Sequence, residues 1–375
     1  MKKSLLTMAL LGSLVSAATA QSSVTVYGII DMAVSKANNG QSNLSYFSDW
    51  QVGKTDQLTI HSASSSRLGF RGSEDLGGGM KANFLMELRF QPDTGSIEPR
   101  DGVTFTGGAR TYNQGFWNAQ SYVGLSGNFG EIRLGRNATP HFTIGLASDP
   151  WAYEYNVAGF AGFTRGGNQV ATTNNSINYL SPNFSGLTAQ IGLGLAEGGT
   201  SAAATAAPNG RNVGLAIQYR QGPLWAAFGY NNSKRPDAIL NRATILALTY
   251  DFGVIKPILN YSVGKNSVAG NPSTKTMLIG AHIPAGSGYI RTAVGRYDPA
   301  VGFNMNTVNP GATAASTPNP YAAYPVTRGQ TSTKFAIGYV YNLSKRTSVS
   351  VDVGTNKTQT YSRSSGYQAA IRHTF

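Results

Sequence analysis

Sixteen short segments of this chain alternate apolar and polar residues, and the connections between them are alternately short and long. The last segment places Tyr367, Ala369, Ile371, His373 and Phe375 on one side and Gln368, Ala370, Arg372 and Thr374 on the other. A period of two is typical of β-strands. Hairpins with one tight and one loose end, repeated along the chain, predict a transmembrane β-barrel. A soluble β-sandwich also alternates, and the period alone does not separate the two.

The predicted strands number sixteen, an even number as in single-chain bacterial barrels. They are 23–36, 58–73, 79–91, 116–127, 130–137, 174–181, 186–197, 211–221, 223–232, 241–252, 254–264, 274–283, 287–298, 332–342, 345–355 and 365–375. Seven short connections rich in Gly, Asn, Pro and Ser alternate with eight long ones. Both chain ends then lie on the short-turn side, which is periplasmic in such a barrel. Fourteen or eighteen strands would also fit if one hairpin is misread.

The N-terminus has the features of a secretory signal peptide. Lys2 and Lys3 precede an apolar stretch from Leu5 to Val15, and Ala18-Thr19-Ala20 is a small-residue cleavage site. The apolar stretch is shorter than the roughly 20 residues of a membrane-spanning helix. No composition change marks a linker farther on. We therefore expect a signal peptide at 1–20 and a single barrel domain at 21–375.

Composition narrows the classes of function. The chain has no cysteine, which excludes disulfides and thiolate chemistry. The four histidines show no metal-binding spacing, and no motif for a cofactor or a catalytic nucleophile is present. A formal net charge of +13 would suggest nucleic acid for a soluble protein. For an exported barrel it indicates an interior that attracts anions, and nucleic acid is the poorer explanation. Aromatic residues near strand ends, such as Tyr27 and Tyr250, favour membrane interfaces.

Several runs resemble the general trimeric porins of Gram-negative bacteria, of the beta-proteobacterial type. The most specific are SRLGFRGSEDLGGGMK (66–81) and YVGLSGNFGEIRLGR (122–136); the others are 23–31, 175–186, 342–346 and 371–375. The resemblance covers the whole predicted barrel domain. It implies an all-β, 16-stranded antiparallel transmembrane β-barrel with short periplasmic turns, long extracellular loops and a third loop folded into the lumen.

The same resemblance implies partners, and the sequence differs from the family pattern at one position. The implied partners are two further copies in a homotrimer, outer-membrane lipid and lipopolysaccharide, and the barrel assembly machinery, which would recognise Phe375. The family commonly has an Arg before the Gln that opens the fourth strand, whereas Ala119 precedes Gln120 here. The constriction is then less basic, or another residue such as Arg110 supplies the charge.

Four arginines and two carboxylates are the candidate selectivity residues. Arg67, Arg89 and Arg133 fall on polar rows of neighbouring strands; Arg136 breaks the alternation but matches the family's Gly-Arg at the exit into the third loop. Fixed charge at a narrow aqueous passage selects ions. In the predicted constriction loop, 138–173, Asp149 and Glu154 would face the basic wall and create a transverse field. Alternatively, the arginines only solvate a wide lumen or pair with carboxylates such as Glu87 and Glu131.

The sequence therefore predicts a passive, water-filled outer-membrane channel for small ions and hydrophilic solutes that prefers anions. A substrate-specific porin for phosphate, organic acids or sugars is the first alternative. A barrel-type outer-membrane hydrolase is the second, although no Ser/His or Asp/His pair shares a face. A receptor or adhesin role of the loops can coexist with the pore.

Overall fold

The computed structural model describes most of the chain. The described ranges are 23–38, 56–98, 103–106, 109–112, 115–154, 157–164, 166, 171–195, 211–233, 242–265, 273–298 and 330–375, with 103–106 and 109–112 described for the backbone only. The predicted signal peptide, 1–20, lies outside these ranges.

The strands of the first half of the chain are short or interrupted in places. They are β1 (Ser23–Ala37), β2 (Thr59–Ser62), β3 (Ser66–Gly77), β4 (Met80–Gln91), β5 (Ser96–Ile97), β6 (Val103–Thr106), β7 (Ala109–Tyr112), β8 (Ser121–Gly127), β9 (Gly130–Ala138) and β10 (Thr172–Leu180).

The strands of the second half are long and regular. They are β11 (Leu187–Gly194), β12 (Asn212–Gln221), β13 (Leu224–Ser233), β14 (Arg242–Tyr250), β15 (Lys256–Lys265), β16 (Thr274–Ala285), β17 (Gly288–Asp298), β18 (Ser332–Asn342), β19 (Thr347–Thr358) and β20 (Ser364–Thr374).

Within the described ranges, sixteen long strands close into one antiparallel barrel. Each pairs with its neighbours, and β20 returns to β1 in a register that runs from Ile29 opposite Thr374 to Ala37 opposite Gly366. The predicted sixteen strands and the antiparallel barrel are confirmed. The prediction of one unbroken strand at 58–73 was wrong, because residues 63–65 interrupt it and separate β2 from β3. The long connection 92–115 was also not strand-free, since it contains β5 and the β6–β7 hairpin.

The apolar row of each strand faces outward. In β18, Phe335 and Ile337 are 49% and 44% exposed, whereas Lys334 and Ala336, which directly precede them, are fully buried. In a soluble sandwich the apolar row would instead form the core. Exposed apolar rows recur around the barrel, as at Leu246 and Met277, and form the outer band that a membrane barrel presents to lipid. Periodicity alone did not separate a soluble β-sandwich from a transmembrane β-barrel. The outward direction of the apolar rows favours the transmembrane β-barrel.

The helical elements lie in the connection between β9 and β10. They are α1 (Pro140–Ala147) and a single 3-10 turn (Ala161–Phe163). No helix in the described part of the chain is long and apolar enough to cross a membrane.

Candidate functional site

The connection between β9 and β10, here called the inserted loop (139–171), crosses the inner faces of ten strands. Helix α1 contacts β11 to β14, and Asn260 of β15 donates to the hydroxyl of Ser148 at 2.6 Å. Farther along, Trp151 reaches β19 and the 3-10 turn packs on β16 and β17. The third long loop therefore folds into the lumen, as the resemblance implied. It covers the wall from β11 to β20.

Local sequence explains how the inserted loop begins. Thr139 caps α1, because its hydroxyl accepts a hydrogen bond from the N–H of Phe142 at 3.3 Å. Pro140 stands at the first helical position, where a missing N–H costs nothing. The helix approaches the barrel wall over small residues: a Cβ at Gly214 would lie 2.7 Å from the Pro140 ring. The helix thus docks against the wall at a distance that larger residues would prevent.

The apolar residues of the inserted loop form the main hydrophobic cluster inside the barrel. Trp151, Phe160 and Phe163 are fully buried against inner-row residues that include Leu278 and Tyr297. Their rings contact one another at centroid distances of 5.4 to 5.5 Å. Burying such side chains contributes roughly 1.5–3 kcal/mol each. The loop is therefore held by a packed core as well as by polar contacts.

An ionic network fixes the far end of the loop. The Glu154 carboxylate accepts from Arg291 at 2.8 Å and from Arg372 at 2.7 Å. Arg291 also donates to both oxygens of Asp352, at 2.9 and 2.8 Å. Arg372 continues the network to Asp31 at 2.9 Å. Charges of opposite sign alternate in this network, in which Arg372 is partly exposed and the other members are buried, so that each neutralises its neighbour.

The two loop carboxylates do not face the wall formed by Arg67, Arg89 and Arg133. Asp149 is 4% exposed and accepts hydrogen bonds from the backbone N–H groups of Trp151 and Tyr153. Glu154 is 6% exposed and binds arginines of the covered wall. The expectation of a transverse field from these two groups is corrected by this placement. The reason is that the loop carries its carboxylates on the side that docks on the barrel.

The surroundings of these carboxylates shift their pKa values in opposite directions. Burial raises the pKa of Asp149 to about 6. Burial acts on Glu154 in the same sense, but the neighbouring Arg291 and Arg372 outweigh it and hold the pKa of Glu154 below its ordinary value. Glu154 is therefore ionised at neutral pH, while Asp149 carries a charge that its surroundings disfavour.

The inner face of β3, β4, β8 and β9, here called the free wall, carries the predicted arginines. Arg67 of β3 and Arg89 of β4 are direct cross-strand partners. The Ser65 carbonyl accepts from Arg67 Nε and from Arg89 Nη1, each at 3.2 Å. Arg89 also forms an ion pair with Glu87 at 2.7 Å. The break at residues 63–65 thus supplies the carbonyl that holds two guanidinium groups side by side.

Hydrogen bonds link the segment beside this arginine pair to the far end of the inserted loop. Ser64 donates to Asp31 at 2.6 Å, and the N–H of Asp31 donates to the hydroxyl of Ser66. Asp31 in turn holds Arg372, which binds Glu154. A continuous series of hydrogen bonds therefore connects the loop end to the residue next to Arg67. Sequence reasoning missed the roles of Asp31 and Asp352, whose only signal is that they are acidic residues on polar rows.

Arg133 and Arg71 complete the basic face of the free wall. Arg133 forms an ion pair with Glu131 at 2.7 Å and lies 4.7 Å from the centroid of the Tyr122 ring. Arg71 is exposed, 5.3 Å from the centroid of Tyr27. Tyr27 donates to Glu87 at 3.0 Å, so it is an inner-row residue rather than part of an outer aromatic belt.

Arg136 has a different position from the one expected. It shares the row of Ile132 and Leu134, which are 40% and 51% exposed on the outside. Its guanidinium donates to the carbonyls of Ala119 and Asn118 at 2.8 and 3.0 Å, and to Asn174 and Thr172 of β10. Arg136 therefore joins β8, β9 and β10 at their long-loop end. The candidate role at the constriction is corrected for this residue.

Phe375 and Ala119 both make backbone contacts just outside the ends of strands. The backbone of Phe375 exchanges two hydrogen bonds with Gly28, both 3.1 Å, and its ring covers Gly28. Ala119 is 2% exposed and offers its carbonyl to Arg136. Arg110 lies in β7, where only the backbone is described. Among the described residues, no group of three or more His, Cys, Asp or Glu is arranged to hold a metal ion.

Known proteins are similar to this chain over almost its whole length. The sequence model of the Gram-negative porin family matches residues 6–361. Outer membrane porin protein 32 of Delftia acidovorans is 32% identical over 364 residues, covering 93% of this chain and 88% of that protein. An outer membrane porin protein of Bordetella pertussis is 28% identical and covers 93% of this chain and 92% of that protein.

Solved structures show the same architecture. The anion-selective porin from Comamonas acidovorans superimposes with a TM-score of 0.68 and 26% identity, over 95% of this chain and 100% of that one. A Salmonella typhi OmpF complex matches with a TM-score of 0.62 at 16% identity, over 94% of this chain and 97% of that one, which bears on the fold alone. With a closed barrel, an inserted loop and a family match over most of its length, this chain belongs to the Gram-negative porin family and forms a channel in the bacterial outer membrane.

Proposed function

We propose that this porin is a passive diffusion channel that prefers anions, and that Arg67, Arg89 and Arg133 of the free wall, with Arg71, set the preference. Small hydrophilic solutes and ions pass between the free wall and the inserted loop. The fixed charge of that passage decides which sign of ion enters more easily.

The observation that carries the proposal is an imbalance of charge across the lumen. The described inner rows of the free wall hold four arginines (Arg67, Arg71, Arg89 and Arg133) and two carboxylates (Glu87 and Glu131). The buried Glu98 accepts from Ser65 Oγ beside the arginine pair, which leaves an excess of one positive charge. Asp75 and Lys81 near the turn face each other in the register and cancel.

The loop side of the lumen does not offset this excess. Asp149 and Glu154 are buried, and Glu154 is engaged by two arginines. With a Debye length of about 8 Å at physiological salt, charges on the passage itself act most strongly on a passing ion. The relative from Comamonas acidovorans is described as anion-selective, which supports the same sign here.

A reversal-potential measurement in a planar bilayer under a salt gradient tests the proposal. The wild type should give the sign of an anion-selective pore. Arg67→Gln combined with Arg89→Gln should reduce the anion-to-cation permeability ratio by about fivefold, since one charge about 4 Å from an ion contributes about 1 kcal/mol even in water. Arg133→Gln should act in the same direction with a smaller effect, because it removes one positive charge and the double variant removes two.

The matched control is Arg220→Gln, which removes an exposed arginine at the short-turn end of β12. It should change the permeability ratio by less than the pair on β3 and β4. A cation-selective wild type would contradict the proposal. So would a double variant with unchanged selectivity and normal conductance.

The proposal extends to processing, assembly and chemistry. We infer that a signal peptide at 1–20 is removed, that three copies form a homotrimer, and that Phe375 is read by the barrel assembly machinery. The family supports the trimer, and the exposed ring of Phe116 beside the half-buried Trp117 supports a protein contact on the outer surface. Outer-leaflet lipid and lipopolysaccharide surround the barrel in this proposal. We assign no enzymatic activity and no nucleic-acid partner. The mass of the detergent-solubilised particle tests the trimer.

A further inference from the structure

A pocket on the outer surface of the barrel is lined by three cationic side chains. It lies at the long-loop end of β17, β18, β19 and β20 and has a volume of about 320 Å³. Arg296, Lys357 and Arg363 line it together with Thr333 and Phe335. Inner-row neighbours such as Lys334 are fully buried, whereas Phe335 is 49% exposed. The pocket therefore opens toward the surrounding membrane and not into the lumen.

The strand register brings these side chains into one row. Arg296 of β17 faces Thr333 of β18, and Thr333 faces Lys357 of β19. Arg363 stands one residue before β20, next to Lys357, because Asn356 pairs with Ser364. Neighbouring strands are about 4.8 Å apart, so Arg296 and Lys357 are separated by roughly 10 Å. That spacing lets two cations approach one phosphate group from opposite sides.

The row lies at the boundary between polar and apolar surface. One step toward the membrane centre, Val294 and Phe335 are partners and are 44% and 49% exposed. One step toward the loops, Asp298 forms an ion pair with Arg296 at 3.1 Å and accepts from Thr331. The three cations exceed this one carboxylate by two charges. A ligand that fits must be apolar at one end and anionic at the other.

We propose that this pocket binds the phosphorylated headgroup of an outer-leaflet lipid, whose acyl chain lies along Phe335. Guanidinium and ammonium groups bind phosphate through short charge-assisted hydrogen bonds. Long loops mark the extracellular end of an outer-membrane barrel, so the row lies at the level of outer-leaflet headgroups. The Lys357 ammonium donates to the Tyr361 carbonyl and retains further donors for a ligand. This inference rests on the outer-leaflet lipid contact in the proposed function and assigns it to a site.

The test measures lipid bound per barrel in detergent by native mass spectrometry. The probe is the diphosphorylated, acylated disaccharide of lipopolysaccharide, compared with its dephosphorylated form and with inorganic phosphate. The wild type should bind the phosphorylated lipid at least about tenfold more tightly than the dephosphorylated one, because charged hydrogen bonds are lost with the phosphates. Inorganic phosphate alone should compete poorly, since it has no acyl chain to place on Phe335.

The variant Arg296→Gln/Lys357→Gln/Arg363→Gln should lower affinity for the phosphorylated lipid by about tenfold or more. The control Arg211→Gln/Arg242→Gln/Lys265→Gln removes the same charge from exposed outer-row positions at the same end of β12, β14 and β15, away from the pocket. It should retain most of the binding. Equal losses in both variants would show diffuse attraction and overturn the pocket, as would equal binding of the dephosphorylated lipid.

Channel conductance and selectivity of both variants separate this inference from the proposed function. Both variants should conduct with wild-type selectivity, because none of the six positions lies on an inner row. Unchanged lipid binding in a pocket variant that still conducts normally would overturn the lipid site and leave the anion channel standing.

Discussion

The indole Nε1 of Trp151 donates a 2.9 Å hydrogen bond to Oδ1 of Asp352, across 201 positions of sequence and from the inserted loop to the opposite strand β19. Asp352 is fully buried and is also held by Arg291. The bond therefore joins the apolar cluster of the loop to its ionic network. A hydrogen bond to a charged acceptor contributes about 1.5–3 kcal/mol.

Trp151→Phe should loosen the inserted loop without unfolding the barrel. The ring keeps much of its packing, while the bond to Asp352 is lost at a cost of about 2 kcal/mol. Hydrogen exchange at the backbone amides of Trp151 and Glu154 should accelerate by roughly 30-fold. Trp117→Phe is the matched control, because Trp117 packs on Phe70 and Phe116 away from the loop. Unchanged exchange in Trp151→Phe would show that the hydrogen bond does not hold the loop.

Gly354→Ala should displace the inserted loop from its wall. A Cβ at Gly354 would lie 2.0 Å from the Val157 carbonyl oxygen, and this backbone atom has no side-chain freedom to move aside. The loop at Val157 must then shift toward the pore, so unit conductance in a planar bilayer should fall. The control is Gly115→Ala, where nothing lies within 4 Å of the added Cβ. Equal conductance of the two variants would contradict this placement of the loop.

The barrel could be predicted from sequence because its signals are local. Alternation and turn residues such as those around Gly286 fix strands and tight turns without knowledge of distant partners. The break at residues 63–65 was not predicted because a run of serines is compatible with a strand or a turn. The β6–β7 hairpin was not predicted because it lies inside a long connection, and the sixteen strands of the barrel are complete without it.

The site could be predicted only in part, for a physical reason. Inner-row parity places Arg67, Arg89 and Arg133 correctly on the lumen side. The engagement of Glu154 by Arg291 and Arg372 depends on which wall the loop covers, and that follows from packing between residues more than 100 positions apart. Arg136 was misplaced because the candidate rested on the family's Gly-Arg at the exit into the third loop, whereas its parity already assigned it to the outer row of Ile132 and Leu134.

Arg136→Gln should therefore weaken the barrel and leave its selectivity unchanged. Its hydrogen bonds to the carbonyls of Asn118 and Ala119 would be lost, at a cost of about 1–2 kcal/mol in the free energy of unfolding. Unfolding by denaturant in detergent measures the loss, and the reversal potential measures selectivity. Arg133→Gln should show the converse, with a change in selectivity. A large change of reversal potential in Arg136→Gln would return that residue to the pore.

Docking of the inserted loop should become more stable as the pH falls from 7 to about 5. Burial raises the pKa of Asp149 from 3.8 to about 6, so the docked loop binds a proton in a range where the undocked carboxyl is ionised. Docking then gains stability with falling pH, by at most about 3 kcal/mol for a shift of this size. Glu154 acts in the opposite direction. Its pKa is lowered in the docked loop, so docking loses stability as the pH falls below 4.5, the ordinary pKa of a glutamate.

Hydrogen exchange at the amide of Trp151, corrected for the intrinsic dependence of exchange on pH, measures this effect. Protection should rise from pH 7 to about 5 and fall again below the ordinary pKa of a glutamate. Asp149→Asn should remove the rise, since it carries no titratable group, and should keep the fall that Glu154 causes. Glu154→Gln should do the reverse. A wild-type loop whose protection rises with pH between 5 and 7 would show that burial of Asp149 does not control docking.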